Sequence, residues 1–366
     1  MNILHVMGMD STKYGGIERF NVELTKQAKV LENNIIFIYE KLPDNKQFID
    51  DIINNGGKLY VVNSKKILSF CFQLIKIIFT EKIDVVHSHF TKALFYSIPI
   101  AKMCGVKKLF FTIHSTMCPL SEIKPHTKLW YKKAIKISKV ISVSQQIETV
   151  CKQNWNKINI KTLYLGVEQI TGEKTNAKEK IECEDKSTLI LTIANFNKVK
   201  GLDILCYAVE KIKDQLTKNN CKVLIVGQPE ADLEELKQLI KQLNIEDLII
   251  QKGISNNIPD YIIASDIYVQ ASRHEGLPLA LMEVCSASLP IVASDVGGIP
   301  EVVENNKNGF LIKSEDPDIL AEKILILINN KDNLREKMGE QNKYIFPKFK
   351  VKSNVSKLLK YYNYNL

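Results

Sequence analysis

Short apolar runs rich in β-branched residues recur through the chain, each separated from the next by a stretch of helical periodicity. The first series reads "NILHVMGM" (2–9), "NNIIFIYE", "KLYVV", "IDVVHSH", "KKLFFTIHS" and "KVISVS". The second reads "LILTIAN", "CKVLIVG", "DLIIQKG", "DIYVQAS", "PIVASD" and "GFLIK". Runs that are apolar throughout suit strands covered on both faces, and helix-length connections suit parallel pairing. The pattern predicts an α/β chain with two Rossmann-like, doubly wound parallel sheets in tandem. A chain of 366 residues also exceeds what one ordinary core supports. The polar segment 169–188, "QITGEKTNAKEKIECEDKST", reads as the linker. The basic ending "KVKSNVSKLLKYYNYNL" is helix-compatible and has no strand after it, so it should pack outside a sheet.

Several classes are excluded on composition. The longest apolar run, "ILSFCFQLIKIIF" (67–79), contains Lys76 and is too short to span a bilayer. The opening "MNILHVMGM" lacks the basic n-region of a secretory signal. The cysteines (71, 104, 118, 151, 183, 206, 221, 285) form no C-x-x-C, so free thiols in a reducing cytoplasm are expected. Charge is uneven: residues 1–166 carry +12, residues 167–347 carry −8 and residues 348–366 carry +5. A basic lobe suits an anionic partner. In "KLWYKKAIKISK" (128–139) Lys128, Lys132, Lys136 and Lys139 recur at roughly helical spacing beside Trp130 and Tyr131, which makes an anionic membrane surface a candidate partner. A solvated helix face accounts for the same lysines equally well. No nucleic acid partner is expected.

Open parallel sheets bind ligands beyond the carboxyl ends of their strands. The residues expected there are Gly15, Gly16, His87, His89, His114, Ser144, 195–200, Gly227, Gly253, 272–283 and 295–301. If the two sets of ends face each other, one cleft forms. In "EGLPLALMEVCSA", Pro278 suits the first turn of a helix, which places Glu275 before the helix and Glu283 inside it. The N–H groups of Gly276, Leu277 and Leu279 then lie at the positive end of the helix dipole, between two carboxylates. A nucleoside diphosphate sugar has the matching polarity, with sugar hydroxyls, a diphosphate and a ribose diol in that order. The plainer reading makes Glu275 a cap and Glu283 a solvated helix residue.

The stretch "EGLPLALMEVCSASLPIVASDVGGIPEVVENNKNGFLI" resembles the E-x7-E signature of the GT4 family of retaining, nucleotide-sugar-dependent glycosyltransferases with the GT-B fold. "GGIERFNVEL", "IDVVHSH", "TIHS", "NKVKG", "VLIVG" and "SDIYVQAS" are similar to other parts of that family's pattern, so the likeness covers nearly the whole chain. It implies an acceptor-binding domain over 1–167 plus 349–366, a donor-binding domain over 168–348, and a C-terminal helix that crosses back to the first. It implies that Glu275 contacts hydroxyls of the donor sugar, with the backbone of Gly276, Leu277, Pro278 and Leu279 near sugar and phosphate, and that Glu283 binds the ribose. By the same resemblance Lys200 contacts the diphosphate, Gly15 and Gly16 form the glycine loop, with the Gly16 N–H reaching the phosphates, and His114 faces the sugar. The backbone near Gly253 and Ile254 reads the base, and Gly227 lies at a neighbouring strand end. The implied activity is hexosyl transfer from a nucleotide sugar, UDP-linked by preference, to a cell-surface glycan or lipid-linked saccharide, in the cytoplasm or at the inner face of the membrane.

Two departures stand out. The family has an arginine five residues before the lysine, where this chain has Asn195; Lys198 is the nearest substitute. Ser288 replaces a helix-ending glycine, so a serine in the left-handed region is expected.

Other chemistries fit less well. His87-x-His89 lacks a neighbouring cysteine or carboxylate, so packing is favoured over a metal. Asp316-x-Asp318 precedes "ILAEKIL" and reads as an N-cap with Pro317 at the first helical position. No metal or cofactor is therefore expected. Gly15-Gly16 is not the dinucleotide fingerprint, and no G-x-S-x-G occurs. The alternatives are a nucleotide-sugar epimerase of the same fold and a catalytically weak sugar-nucleotide-binding subunit.

Overall fold

The computed structural model describes residues 1–63, 67–114, 125–155, 158–183, 187–229, 232–255 and 257–363. The chain divides into two compact units, Met1–Val167 with Phe349–Leu366, and Glu168–Lys348.

The first unit holds a seven-stranded parallel sheet. Its strands are β1 (Asn2–Val6), β2 (Asn34–Tyr39), β3 (Lys58–Val61), β4 (Val85–His89), β5 (Lys108–Ile113), β6 (Lys139–Ser142) and β7 (Ile160–Thr162). They lie in the order β3-β2-β1-β4-β5-β6-β7. Ile3, Leu4, Val85, Val86, Phe110 and Phe111 are at most 3% exposed, because helices cover both faces. The helix Gly16–Val30 packs beside the helix Val351–Asn363, whose Val355, Leu359 and Tyr362 are fully buried. The basic ending therefore folds outside the sheet, on the first unit.

The second unit holds β8 (Thr188–Ile193), β9 (Cys221–Val226), β10 (Ile249–Lys252), β11 (Ile267–Gln270), β12 (Ile291–Ser294) and β13 (Gly309–Ile312). Their order is β10-β9-β8-β11-β12-β13, again all parallel. Both sheets reverse their direction of winding once, at β1/β4 and at β8/β11, and such points are where ligands bind in doubly wound folds.

Three sequence readings need correction. The segment taken as a linker contains the helix Lys174–Lys180, which packs on the helix Ile258–Ala264 through buried Ala177. Lys178 is buried with it and donates to the Ser187 carbonyl at 2.9 Å, while exposed Lys174 donates to Asp266 at 2.5 Å. In the basic stretch, the helix is Pro125–Lys136 and Lys139 belongs to β6, with its ammonium over the rings of Phe110 and Tyr361. Tyr131 is fully buried in the core and cannot meet a surface, whereas Trp130 is exposed. The side chain of Lys128 and all of Cys118 lie outside the described residues. The seven described cysteines form no disulfide.

Two local expectations hold. Asp316 accepts the N–H of Ile319 at 3.0 Å and caps the helix Pro317–Asn329. Ser288 has φ +63°, just past the helix Leu279–Ser286. Ser288→Gly should therefore raise the urea midpoint, by up to about 1 kcal/mol of stability, since only the Cβ opposes this conformation.

Candidate functional site

The second unit's site grows from its switch point. β11 ends at Gln270, and the chain then runs as a loop through Ser272 to Glu275 before the helix Leu279–Ser286 begins. That helix is short and apolar. Leu281, Met282 and Val284 are fully buried and Cys285 nearly so, and this fixes it to the core, while Glu283 stands half-buried in its fifth position. Pro278 occupies the N-cap rather than the first turn, and no side chain caps the helix. The N–H groups of the first turn have no acceptor within the helix itself.

Glu275 is not a cap. It is 8% exposed, and its Oε1 accepts three donors: Lys200 Nζ at 2.8 Å, Gln270 Nε2 at 2.7 Å and Ser272 Oγ at 2.7 Å. A carboxylate with these partners has a fixed position, and the charge-assisted bond to lysine is the strongest of the three. Gln270 is itself held by the hydroxyl of Tyr268 at 3.2 Å.

Lys200 closes a single 3-10 turn, Lys198–Lys200, on the loop after β8. Arg273 clamps that turn to the motif loop. Its guanidinium donates to both oxygens of Asp203 at 2.9 and 2.8 Å, to Glu315 at 2.9 Å and to the Lys198 carbonyl, and its N–H meets the Val199 carbonyl at 2.8 Å. Behind Glu275 stands Gly297, at φ +56°. A Cβ there would lie 2.0 Å from the Glu275 carbonyl oxygen, and the next N–H, of Gly298, donates to Gly276 at 2.7 Å. Only glycine permits this approach of two backbones.

The remaining expected residues of this unit occupy the same sheet edge with different surroundings. Asn195 is half-buried, and its carbonyl accepts the Asn197 N–H at 2.9 Å. Lys198 is 71% exposed and pairs with Glu235 at 3.1 Å, so its ammonium is directed to the helix Leu233–Gln242 and not to Glu275. Gly227 packs on the carboxyl end of β8; a Cβ there would stand 1.9 Å from the Ala194 carbonyl oxygen. Gly253 has open space where a Cβ would be, and Ile254 beside it is exposed. Leu277 is buried and Gly276 and Leu279 are half-buried.

In the first unit, Gly15 is the N-cap of the helix Gly16–Val30, and its N–H donates to Glu18 Oε2 at 3.0 Å. Gly16 supplies the first N–H of that helix. His114 follows β5, half-buried, with its ring stacked on Phe90 at 4.5 Å and its Nε2 3.1 Å from Nδ1 of His89.

Comparison with known proteins bears on this arrangement. The family model described as glycosyl transferases group 1 matches residues 173–344, and that described as glycosyltransferase family 4 matches residues 14–169. The chain is a family 4 glycosyltransferase. Among curated relatives, N-acetyl-alpha-D-glucosaminyl L-malate synthase of Bacillus anthracis is 25% identical, covering 79% of this chain and 77% of that protein. The UDP-Gal:alpha-D-GlcNAc-diphosphoundecaprenol alpha-1,3-galactosyltransferase of Escherichia coli is 27% identical over 70% of each chain. Among solved structures, Anabaena HepE in complex with UDP and glucose superposes with a TM-score of 0.83 at 18% identity over the full length of both. The two sheets are those of the GT-B fold.

Within this glycosyltransferase, Gln270, Ser272, Arg273 and Gly297 support the motif glutamate and lysine; the last three fall in stretches expected at strand ends, and Gln270 lies just before them. Gln270 and Ser272 alternate at the end of an apolar strand, which places them on one face. No helix among the described residues is long and apolar enough to cross a membrane.

The glycosyltransferase also carries buried histidines. His5, His87 and His89 each place a ring nitrogen within 4.8 Å of the others, close enough to be considered as metal ligands. Those nitrogens already bond to each other, to Thr112 and to Tyr362. Burial pushes His5 from its ordinary 6.5 to about 3 and His114 to about 4, and holds His87 and His89 well below the usual range. The unfolded chain thus binds protons near pH 6.5 that the folded chain refuses. Stability is complete above that pH and declines as pH falls from about 6.5 toward 4. Urea midpoints at pH 7.5 and pH 5 should show this loss, and replacing His5 by Phe should shrink it.

Proposed function

We propose that this glycosyltransferase moves a hexosyl unit from a UDP-sugar to a hydroxyl of a cell-surface glycan or lipid-linked saccharide, with retention at the anomeric carbon. The observation that carries the reading is the Glu275 carboxylate, buried and held by three donors just ahead of a helix amino terminus. A fixed acceptor beside an ammonium and helix N–H groups suits hydroxyls adjoining a diphosphate. Glu275 accepts from the sugar, and Glu283 accepts from the ribose diol. Lys200 and the N–H groups of Gly276, Leu277 and Leu279 stabilise negative charge as the diphosphate departs. The acceptor hydroxyl attacks from the face the diphosphate leaves and passes its proton to the departing phosphate oxygen, so no protein nucleophile is needed. Lys200 and the amides supply the neutralising charge, and turnover should persist in chelator. Gly16 and His114 are assigned to phosphate and sugar on the resemblance. The UDP of the HepE complex and the UDP-Gal in the name of the E. coli relative favour UDP among the nucleotides.

Peripheral contact with an anionic membrane belongs to the same reading. On the helix Ile67–Thr80, Leu68, Phe72 and Phe79 are 87%, 72% and 62% exposed, an apolar stripe on a unit rich in lysine. Exposed Trp130, with Lys133 over its ring at 5.2 Å, adds an interfacial aromatic. Flotation with anionic vesicles at low salt should retain the protein, and Phe72→Ser should weaken retention severalfold; no flotation at low salt contradicts it.

The reaction is tested by a thermal-shift panel of UDP-, GDP- and ADP-sugars, followed by NMR of the product made from the best binder. A stabilising UDP-hexose and a product with the donor's anomeric configuration are expected. An inverted product, or stabilisation by none of the panel, contradicts the proposal.

A further inference from the structure

At the switch point of the first sheet, four histidines and two hydroxyls form one unbranched chain of contacts. Thr112 Oγ1 on β5 lies 2.7 Å from Nε2 of His87 on β4. His87 Nδ1 lies 2.5 Å from the hydroxyl of Tyr362, on the C-terminal helix. That hydroxyl lies 3.4 Å from Nε2 of His5 on β1. His5 Nδ1 lies 2.9 Å from Nε2 of His89, and His89 Nδ1 lies 3.1 Å from Nε2 of His114. All but His114 are buried. His114 Nδ1, the free end of the chain, has no hydrogen-bond partner among the described residues.

Every ring is entered at Nε2 and left at Nδ1. A neutral imidazole has one N–H and one lone pair, and the buried Tyr362 hydroxyl that accepts from one ring must place its own hydrogen on the other, so choosing the direction of a single link fixes all four tautomers together. Burial keeps all four rings neutral, as their depressed proton affinities indicate. The direction is set at the buried end. The Thr112 hydroxyl is 3% exposed, and among the described residues His87 Nε2 is the acceptor within its reach. A buried hydroxyl hydrogen without an acceptor is costly. Thr112 therefore donates to His87, His87 to Tyr362, Tyr362 to His5, His5 to His89 and His89 to His114. Each acceptor nitrogen leaves its ring with the proton on Nδ1.

We infer that this chain holds His114 in the neutral Nδ1–H form, so that the group presented beyond β5 is a hydrogen-bond donor. Thr112, Tyr362, His5 and His89 are positioning residues: they act through His114 and set which nitrogen carries the proton. Phe90, held at φ +63° and stacked on His114, keeps the ring plane from turning. The consequence for catalysis rests on the assignment of His114 to the donor sugar: an Nδ1–H donates to a sugar oxygen and spares that hydroxyl's own proton for another acceptor. A metal ion on His5, His87 and His89 is incompatible with the chain, because it needs lone pairs on nitrogens that here are protonated or already accepting.

The test uses the full chain labelled with 15N-histidine, with long-range 1H–15N correlations assigned through single-histidine variants. At pH 7, His5, His87, His89 and His114 should all report Nδ1–H. Four Nε2–H rings, or a mixed set, overturn the inference. Thr112→Val removes the hydrogen that sets the direction and lets both directions populate. The nitrogen signals of His114, which Thr112 does not touch, should shift toward averaging, with kcat down about tenfold and donor KM within twofold. Thr112→Ser keeps the hydroxyl and should restore both. Unchanged His114 signals in Thr112→Val overturn the inference, as does a stoichiometric metal whose removal by chelator moves the His5, His87 and His89 signals. Tyr362→Phe, which cuts the chain at its middle, gives the same readout should the valine variant fold poorly. If His114→Ala transfers sugar normally while the four-ring pattern holds, the chain stands and the assignment of His114 to the sugar falls.

Discussion

Lys200→Ala is expected to slow sugar transfer by about a hundred- to a thousandfold, the cost of removing one preorganised charge from a developing anion. The melting temperature should fall modestly, because the Glu275 carboxylate, 8% exposed, loses its ammonium partner. The lysine is 27% exposed, and its partner Glu275 keeps Gln270 and Ser272 as donors when the ammonium is gone. Lys200→Arg retains the charge but spreads it over a planar fork, so partial recovery is expected and not full activity. Lys198→Ala is the internal control. Its ammonium is turned to Glu235, and its loss should change transfer by less than threefold if Lys200 alone supplies the charge. An equal loss from both lysines would place Lys198 in the phosphate site as the replacement for the arginine missing at Asn195, against its pairing with Glu235.

Glu275→Ala should cost both activity and stability. It leaves the donors of Lys200, Gln270 and Ser272 without their common acceptor in a site that is 8% exposed. Unmet buried donors and a broken, partly buried ion pair together cost about 2–4 kcal/mol. Transfer should fall by a hundredfold or more beyond what unfolding explains. Glu275→Gln separates the two effects. The amide oxygen can still accept, so most of the stability returns, while the charge that fixes the lysine and orders the sugar hydroxyls does not. Transfer in Glu275→Gln that approaches wild type would remove Glu275 from the reaction.

Much of this arrangement was legible in the sequence. Twelve apolar runs became strands, and the two sheets and the place of Glu275 ahead of its helix followed from periodicity and one proline. β7 (Ile160–Thr162) left no signal, since it has three residues with Lys161 at their centre and pairs on one side only. The 174–180 helix was hidden because its buried face consists of little more than Ala177 and the stem of Lys178. Lys139 misled because helical spacing says nothing of where a helix stops, and it stopped at Lys136; Tyr131 misled because standing next to Trp130 does not say which face of the helix a residue occupies, and its own face is buried. The histidine chain could not be read at all. Its links join residues up to 357 positions apart, and only the pairing of β1, β4 and β5 with the C-terminal helix brings them together. His87 and His89, expected to pack, do pack, but as members of that chain. Support for the motif was equally non-local: Arg273 and Asp203 are 70 residues apart, and Gly297 meets Glu275 through a backbone contact that no side-chain pattern records.

The central claim is that Glu275 and Glu283 hold opposite ends of one donor, and it can be measured directly by calorimetric titration of UDP and of a UDP-hexose into the wild type, Glu275→Gln and Glu283→Ala. The account predicts that Glu283→Ala weakens both ligands alike, about tenfold or more, because each carries the ribose. It predicts that Glu275→Gln weakens only the UDP-hexose and leaves UDP within twofold of wild type. The reverse pattern, or affinities that neither substitution changes, would contradict it.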